Sequence, residues 1–582
     1  MKLNGKIWVF GVCLLMVQPL FSQNVFLELN LNTPSMQNMV RPVRPRHTLE
    51  IFRVIERAGN DKRIGGIILN VSSFQAGQEP LWELRSALEK FKSKGKKICA
   101  FISAADLDMY CLATVADKII MDDQGTLTLL GYAWGRGYVQ HSLEKLGIGA
   151  RELRYLEFKS AAETYTRDSL SDADRRQYGE VLDDIMKITR DTVIKARSWT
   201  AGEFDSIINN EFLFSAKSAL ARGLVDYTGR KETVLKAVKE ITGSEKEQDF
   251  FVFGDSDSSL TGSKYFYQPA KTSWLIRPPV IAVIYANGVT DMERGIAAKA
   301  LARTIREVSE KRRVKALVIR INSPGGSAEA ADYVAEAVKY AKERIPVVVS
   351  MGAVAASGGY WASMNASHIT ASPVTLTGSI GVIGSWFYDK GLNNKLGLTV
   401  DTMQRGDHAD LFTGMILPHR DLIPVEEARY RTYILDLYGD FTARVAAGRS
   451  MDIERVEALA QGRVYSGLGA FNAGLIDSIG GLDDAVQTAR KLAKIPDRRK
   501  IAYDEYPKQK FLDKMLEHLL ATGTSTGSST TSTAVLMTDL FLPVQRRDTR
   551  LLEDLRFRIA HNGQVMPILP LETVFYGPAA GR

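Results

Sequence analysis

Three short segments rich in glycine and serine, all in the second half of the chain, could do chemistry. They are residues 322–327 (NSPGGS), 355–361 (AASGGYW) and 377–381 (TGSIG). Adjacent glycines in the first segment permit a turn whose backbone N–H groups face a ligand. In the second, Ser357 lies among residues small enough to let a substrate approach its hydroxyl. Each segment alone is typical of an ordinary turn or helix cap, so only their combination is specific.

An internal repeat organises the elements that must position these segments. Residues 62–148 align with residues 312–398 without a gap, at a shift of 250 positions. Within them, the strand-like run 64–71 matches the run 314–321. A chain of 582 residues is longer than one hydrophobic core usually holds. Two copies of one unit, fused in tandem, account for this length.

Each unit is predicted to be α/β. The apolar, β-branched runs 280–286 and 317–321 indicate buried strands, and a third strand begins at residue 345. Between the second and third strands, apolar residues recur at helical spacing: Ala331, Val334, Ala335, Val338 and Ala341. Strand, helix and strand in succession predict a mostly parallel sheet with crossover helices.

Composition shifts suggest the limits of the domains. We expect the following division: an N-terminal repeat domain at 24–242, a polar connector at 243–270, a C-terminal repeat domain at 271–495, and an extension at 496–582 with a Thr/Ser/Gly linker at 522–533.

Residues 1–23 are expected to be an export segment. Lys2 and Lys6 precede a short apolar run, the order typical of a secretory signal. The run is shorter than the roughly 20 apolar residues of a full span, although an uncleaved signal anchor stays open. In either case we expect the rest of the chain to work outside the cytoplasm, at the extracytoplasmic or periplasmic face of the cell membrane.

Composition argues against several classes of function. The net charge of +8, from 75 basic and 67 acidic residues, is mild for this length and does not predict nucleic-acid binding. The three cysteines, Cys13, Cys99 and Cys111, form no CxxC motif or Cys/His metal spacing. We therefore expect no metal and no cofactor.

Together, the three segments resemble the signal peptide peptidase A family of serine proteases, also called protease IV. The resemblance covers nearly all of residues 45–495 and is greatest to the long, duplicated form. It implies a fold related to the Clp protease and crotonase group, and a Ser-Lys dyad. The family's nucleophile corresponds to Ser357, and its base corresponds to Lys159 in the motif Phe-Lys-Ser-Ala at residues 158–161. It further implies that Ser379 orients the lysine.

The resemblance also implies substrates and assembly. Substrates would be residual signal peptides and other apolar, extended peptides near the membrane, cleaved inside a bowl-shaped homotetramer. For the acyl-transfer step, we expect the backbone N–H groups of Gly326 and Gly358 to form the oxyanion hole.

The repeat supports the dyad independently. At the shift of 250, Ser357 pairs with Leu107, and Lys159 pairs with Ala409. Each copy has therefore lost the group that the other copy kept. Neither repeat could act alone, but the two together hold one complete set.

Three alternatives stay open at this point. His408 or His368 could serve as the base in a conventional Ser-His arrangement. A crotonase-type acyl-CoA enzyme would share the fold and the paired backbone donors, and thioester turnover would favour it. A non-catalytic exported scaffold or chaperone would be insensitive to Ser357→Ala.

Overall fold

The computed structural model describes residues 25–31, 46–72, 76–243, 249–253, 278–508, 558–559, 561–569 and 574–576. The predicted export segment at 1–23 and the linker at 522–533 lie outside these residues. None of the helices in the described ranges is both long and apolar enough to cross a bilayer.

The first repeat alternates strands and helices along most of its length. Its strands are β1 (Val25–Asn30), β2 (Ile64–Asn70), β3 (Lys97–Asp106), β4 (Lys118–Thr128), β5 (Ala133–Gly135), β6 (Ile148–Leu153), β7 (Leu213–Ser215), β8 (Tyr227–Thr228) and β9 (Asp249–Phe253). Its helices are α1 (Arg46–Asn60), α2 (Gln78–Lys92), α3 (Leu107–Ala113), α4 (Gln140–Leu146), α5 (Glu163–Thr166), α6 (Asp172–Arg197), α7 (Ala201–Ser206), α8 (Ala216–Ala221) and α9 (Lys231–Thr242), with a π-helical turn at Ile207–Glu211.

The second repeat follows the same plan, and two short strands come after it. The strands are β10 (Val280–Asn287), β11 (Val314–Ser323), β12 (Val347–Ala356), β13 (His368–Ala371), β14 (Leu376–Gly378), β15 (Ile383–Asp389), β16 (Val464–Ser466), β17 (Ser478–Ile479), β18 (Ala502–Tyr506), β19 (Val565–Met566) and β20 (Val574–Tyr576). The helices are α10 (Ala298–Ser309), α11 (Ala328–Lys342), α12 (Gly358–Ser363), α13 (Leu392–Leu396), α14 (Pro424–Arg449), α15 (Ile453–Leu459), α16 (Gly467–Ala473) and α17 (Leu482–Leu492).

The two main sheets share one topology. The first has the order β7-β4-β3-β2-β1-β9, and the second has the order β16-β14-β12-β11-β10-β18. Along each order the strands pair in parallel, except for β7 on β4 and β16 on β14. The predicted α/β fold of two tandem repeats with mostly parallel sheets is confirmed.

The core residues match the predicted pattern. The five apolar positions named above on α11 are fully buried, and so are Leu317, Val318 and Ile319 on β11. A parallel strand is covered by helices on both faces, which is why its sequence is a continuous apolar run.

Both sheets extend past the expected limits of the repeats. β9 lies inside the predicted connector and pairs in parallel with β1. β18 lies in the predicted extension and pairs in parallel with β10. Each strand thus forms an edge of its own sheet, at the same place in both repeats, in a segment that the composition had placed outside the repeat domains.

The repeats are joined through a small sheet and a buried ion cluster. In the sheet β19-β15-β6, β6 of the first repeat pairs antiparallel with β15 of the second. Elsewhere the Arg320 guanidinium of β11 contacts carboxylates of α2, with Nη2 at 2.7 Å from Glu79 Oε1 and Nη1 at 2.8 Å from Glu83 Oε1. These contacts fix the first repeat against the second.

Candidate active site

Ser357 lies between a buried strand and a short helix. It follows β12 and directly precedes α12, and its backbone has φ +57° and ψ −113°. A non-glycine residue with positive φ is strained by roughly 1–3 kcal/mol and persists only where its surroundings enforce it. The Ser357 N–H donates to Gly378 O on the neighbouring strand at 2.8 Å, and this contact holds the turn. The whole residue is buried.

The Lys159 side chain crosses from the first repeat to this turn. Its Nζ lies 2.6 Å from Ser357 Oγ, and it lies 2.9 Å from both Oγ and the backbone oxygen of Ser379. Only 1% of the lysine is exposed. The structure therefore brings together all three side chains that the sequence singled out.

Burial changes the acid–base character of this amine. The pKa of Lys159 lies well below the usual 10.5, first because desolvation disfavours the ammonium form and second because Arg558 adds a nearby positive charge. An amine with a lowered pKa is uncharged in a larger fraction of molecules near neutral pH. Its lone pair can then accept a proton.

Close backbone packing sets the position of Lys159. A Cβ added to Gly462 would lie 2.6 Å from Lys159 Cβ and 2.8 Å from Lys159 N. Gly462 also has φ +81°, a conformation that side chains rarely adopt. Next to this contact, Phe158 N donates to Gln461 O at 2.9 Å. A loop of the second repeat thus holds the lysine segment of the first.

A buried polar network supports the same segment from the other side. Ser160 Oγ donates to Asp174 Oδ1 at 2.5 Å, and Arg136 Nη1 lies 2.9 Å from Asp174 Oδ2. Gln177 Nε2 donates to Phe158 O at 3.1 Å, while its Oε1 accepts from Val464 N at 3.0 Å. Because these groups pair with one another, the charges are compensated although they are buried.

The N–H groups of Gly326 and Gly358 converge on one oxygen. Both donate to Pro567 O, at 2.9 Å and 3.0 Å respectively. Gly325 borders the same point, where an added Cβ would lie 2.2 Å from Pro567 O and 3.1 Å from Ser357 Cβ. Two backbone donors beside a serine hydroxyl are the arrangement that stabilises an oxyanion.

The two candidate histidines, His368 and His408, lie elsewhere. His408 Nδ1 is 2.9 Å from Glu426 Oε1, and about half of its side chain is exposed. His368 Nε2 is 2.8 Å from Ser478 Oγ, and burial lowers its pKa. The structure does not bring either imidazole into hydrogen-bond contact with Ser357, whose Oγ is bonded to Lys159.

The positions that correspond to the dyad in the opposite repeats carry no comparable group. Leu107 begins α3 after β3, just as Ser357 precedes α12 after β12, and it is buried as an apolar residue. Ala409 lies in an exposed loop. Within the ranges that the structure describes, no three His, Cys, Asp or Glu side chains cluster as a metal site requires.

Sequence reasoning missed two parts of the site. One is the lysine-supporting loop around Gly462, whose role depends on contacts between distant segments. The other is the stretch of residues 565–569, called the cleft segment below, which contains Pro567 and is buried throughout. Its run of Val, Met, Pro, Ile and Leu after a polar region is the only signal that could have drawn attention to it.

Known proteins match this chain over most of its length. Residues 90–244 and 339–496, together more than half of the chain, match peptidase family S49. The chain is 33% identical to "Protease 4" of Salmonella typhi, over 79% of this chain and 74% of the relative. It is 31% identical to "Serine protease SPPA, chloroplastic" of Arabidopsis thaliana, over 77% of this chain and 66% of the relative. A solved structure of a ClpP1 point mutant from Listeria monocytogenes matches 35% of this chain and 94% of that chain, at 15% identity and a TM-score of 0.24.

These matches decide between the classes that the sequence left open. Both curated relatives are named as proteases, and the family model matches in both repeats. The resemblance that the glycine- and serine-rich segments indicated is confirmed. A crotonase-type enzyme and a non-catalytic scaffold are not supported. The chain belongs to peptidase family S49 and is a serine peptidase.

Proposed function

We propose that this protein is an endopeptidase with a Ser-Lys dyad, in which Lys159 is the general base and Ser357 is the nucleophile. The observation that carries the proposal is the 2.6 Å contact between Lys159 Nζ and Ser357 Oγ inside a buried site. A serine hydroxyl is a weak nucleophile until a neighbouring base takes its proton. An exposed lysine, protonated at neutral pH, could not be that base.

The contacts of Lys159 suit an uncharged amine. Such an amine has two N–H donors and one lone pair. Ser379 offers two acceptors, Oγ and the backbone oxygen, both at 2.9 Å. With both N–H groups directed to Ser379, the lone pair faces the Ser357 hydroxyl. Ser379 is thus a positioning residue, because its two acceptors direct the lone pair of Lys159 Nζ toward the Ser357 hydroxyl.

The reaction then proceeds in two halves. Ser357 Oγ attacks the substrate carbonyl carbon while its proton moves to Lys159 Nζ. The N–H groups of Gly326 and Gly358 stabilise the oxyanion, an effect worth about 3–4 kcal/mol per donor in other proteases. As the C–N bond breaks, Lys159 returns the proton to the leaving amine. Water then attacks the acyl-enzyme, Lys159 takes a proton from it, and Ser357 regains its hydroxyl.

The proposed substrates are residual signal peptides and other apolar, extended peptides. Support comes from β15, which pairs with β6 along one side and presents its other side to the extended strand β19. Main-chain pairing along an edge gives affinity for any extended chain, and pockets for alternate side chains give preference. We further propose a homotetramer at the extracytoplasmic face of the membrane, anchored or exported through residues 1–23. Light scattering and membrane fractionation test these two points.

Hydrolysis of an apolar peptide ester tests the dyad. We expect Ser357→Ala and Lys159→Ala each to abolish turnover, because each removes a group that moves or receives the proton. His408→Ala is the matched control and should retain the wild-type kcat/KM, since this imidazole pairs with Glu426. Loss of activity in the histidine variant, with activity retained in the lysine variant, would refute the proposal.

A further inference from the structure

The cleft segment runs directly across the proposed catalytic serine. On one side, Met566 pairs with Ile383 and Val565 pairs with Gly384 in the antiparallel ladder between β19 and β15. On the other side, Ile568 forms an antiparallel bridge with Gly325. The segment therefore has strand partners both before and after Pro567.

Its backbone is held as an extended substrate would be. Pro567 O accepts from the N–H groups of Gly326 and Gly358, the two donors assigned to the oxyanion hole. Two residues further on, Leu569 N donates to Pro324 O at 2.8 Å. In this register Pro567 occupies the position of the residue whose carbonyl is attacked. The 567–568 peptide bond occupies the position of the scissile bond.

Side-chain burial fits the same role. Val565, Met566, Ile568 and Leu569 are all buried, with exposures between 0% and 8%. Gln564, which precedes the segment, is exposed. An apolar stretch of five residues is thus buried in the cleft, and Gln564 directly before it is exposed.

We propose that the cleft segment is a built-in, substrate-like inhibitor that occupies the active site of its own chain. This inference rests on the proposed function of Ser357. An external peptide that needs the same backbone donors can bind only when the segment leaves, so the apparent affinity for substrate falls with the fraction of open molecules.

Proline at the attacked position explains how such a segment resists cleavage. Pro567 has no backbone N–H, so the attacked residue cannot donate a hydrogen bond from its own nitrogen to the cleft. Its ring also fixes φ, which limits adjustment as the carbonyl carbon becomes tetrahedral. We expect the purified chain to keep the 567–568 bond intact.

Charged substitutions in the buried segment test the inhibition. Met566→Asp and Ile568→Asp place a carboxylate where apolar side chains are 2% and 0% exposed, so they should expel the segment. We expect kcat/KM for an apolar peptide ester to rise about tenfold or more, which corresponds to a cleft that is open in about a tenth of wild-type molecules or fewer. Gln564→Asp is the matched control and should leave kcat/KM unchanged, because this side chain is exposed.

Binding of a labelled peptide provides a readout that needs no catalysis. A fluorescent peptide with the sequence of residues 565–569 should bind to the Met566→Asp protein, compete with the ester there, and bind at least about tenfold more weakly to the wild type. A scrambled peptide is the control. Equal binding to both proteins, or to neither, would overturn the inference, as would cleavage of the wild-type chain after Pro567.

The two proposals fail in different ways. If ester hydrolysis depends on Ser357 but the folded Asp variants are no faster than wild type, the inhibitor is refuted and the dyad stands. If Ser357→Ala leaves hydrolysis unchanged, the dyad is refuted, and the peptide-binding comparison still decides whether the segment blocks the cleft. Thermal unfolding of each Asp variant confirms that it is folded.

Discussion

A single methyl group added at residue 462 should lower activity sharply by displacing the backbone of Lys159. In Gly462→Ala the new Cβ would lie 2.6 Å from Lys159 Cβ and 2.8 Å from Lys159 N. Carbon atoms pack at about 3.5–4.0 Å, so the two segments must separate by about 1 Å. The lysine backbone is one of the two clashing groups, and a side-chain rotation cannot relieve the contact.

The magnitude follows from this displacement. A misplacement of about 1 Å in a catalytic group costs about a hundredfold in rate, or roughly 2.7 kcal/mol of transition-state stabilisation. We therefore expect kcat/KM for an apolar peptide ester to fall about a hundredfold. Alanine at φ +81° also costs about 1–2 kcal/mol of folding stability, whatever it touches.

Gly223→Ala separates these two effects. Gly223 has φ +74°, close to the value at Gly462, but an added Cβ there meets nothing within 4 Å. We expect a similar loss of stability in thermal unfolding, with kcat/KM unchanged. If Gly462→Ala keeps activity within about threefold of wild type, or if Gly223→Ala loses as much as Gly462→Ala, the coupling between the loop and the lysine is refuted.

Three other substitutions test the energetics of the site and of the joint between repeats. Ser379→Ala should lower kcat/KM about 10- to 100-fold, because Lys159 Nζ loses a buried partner worth about 1–3 kcal/mol; steady-state kinetics on the folded variant checks this. Lys159→Met should abolish activity yet stabilise the protein at neutral pH. Since the folded pKa of Lys159 is lowered, the unfolded chain binds more protons, and wild-type stability should rise with pH between that lowered pKa and the ordinary value of 10.5. Melting curves across this interval should show the slope in wild type and a smaller one in the methionine variant. Arg320→Met should destabilise the protein by about 3–5 kcal/mol in urea unfolding, since it removes the cation that balances the buried acids Glu79 and Glu83, although burial already raises the pKa of Glu83 to about 8; an unchanged midpoint would contradict the assigned role of this cluster.

The parts of the fold that were predictable are those with a local signal. The β-branched run of β11 and the helical spacing of α11 are enough by themselves to identify a buried parallel strand and its crossover helix. The shift of 250 then extends this assignment to the other repeat. The proposed dyad needed the family resemblance, because nothing local to Phe158 or Lys159 indicates which distant serine they meet.

The parts that were not predictable depend on pairing between distant segments. β9 and β18 are five-residue edge strands, and only their pairing with β1 and β10 distinguishes them from the connector and the extension in which the sequence placed them. The contact between Gly462 and Lys159 joins residues that no local pattern connects. Likewise, the cleft segment follows a long polar stretch. Its place in the site is evident only from Pro567 O, which accepts hydrogen bonds from the N–H groups of both Gly326 and Gly358.

The pH dependence of the rate at which Ser357 is acylated tests the central claim most directly. The second-order rate constant for reaction with a fluorophosphonate, followed by intact mass from about pH 5 to about pH 10, reports the fraction of enzyme whose base is uncharged. We predict that this rate rises with pH and levels off well below 10.5, and that Lys159→Ala removes both the rate and the inflection. A profile that keeps rising to 10.5, or one that Lys159→Ala leaves unchanged, would contradict an uncharged lysine of the first repeat activating a serine of the second.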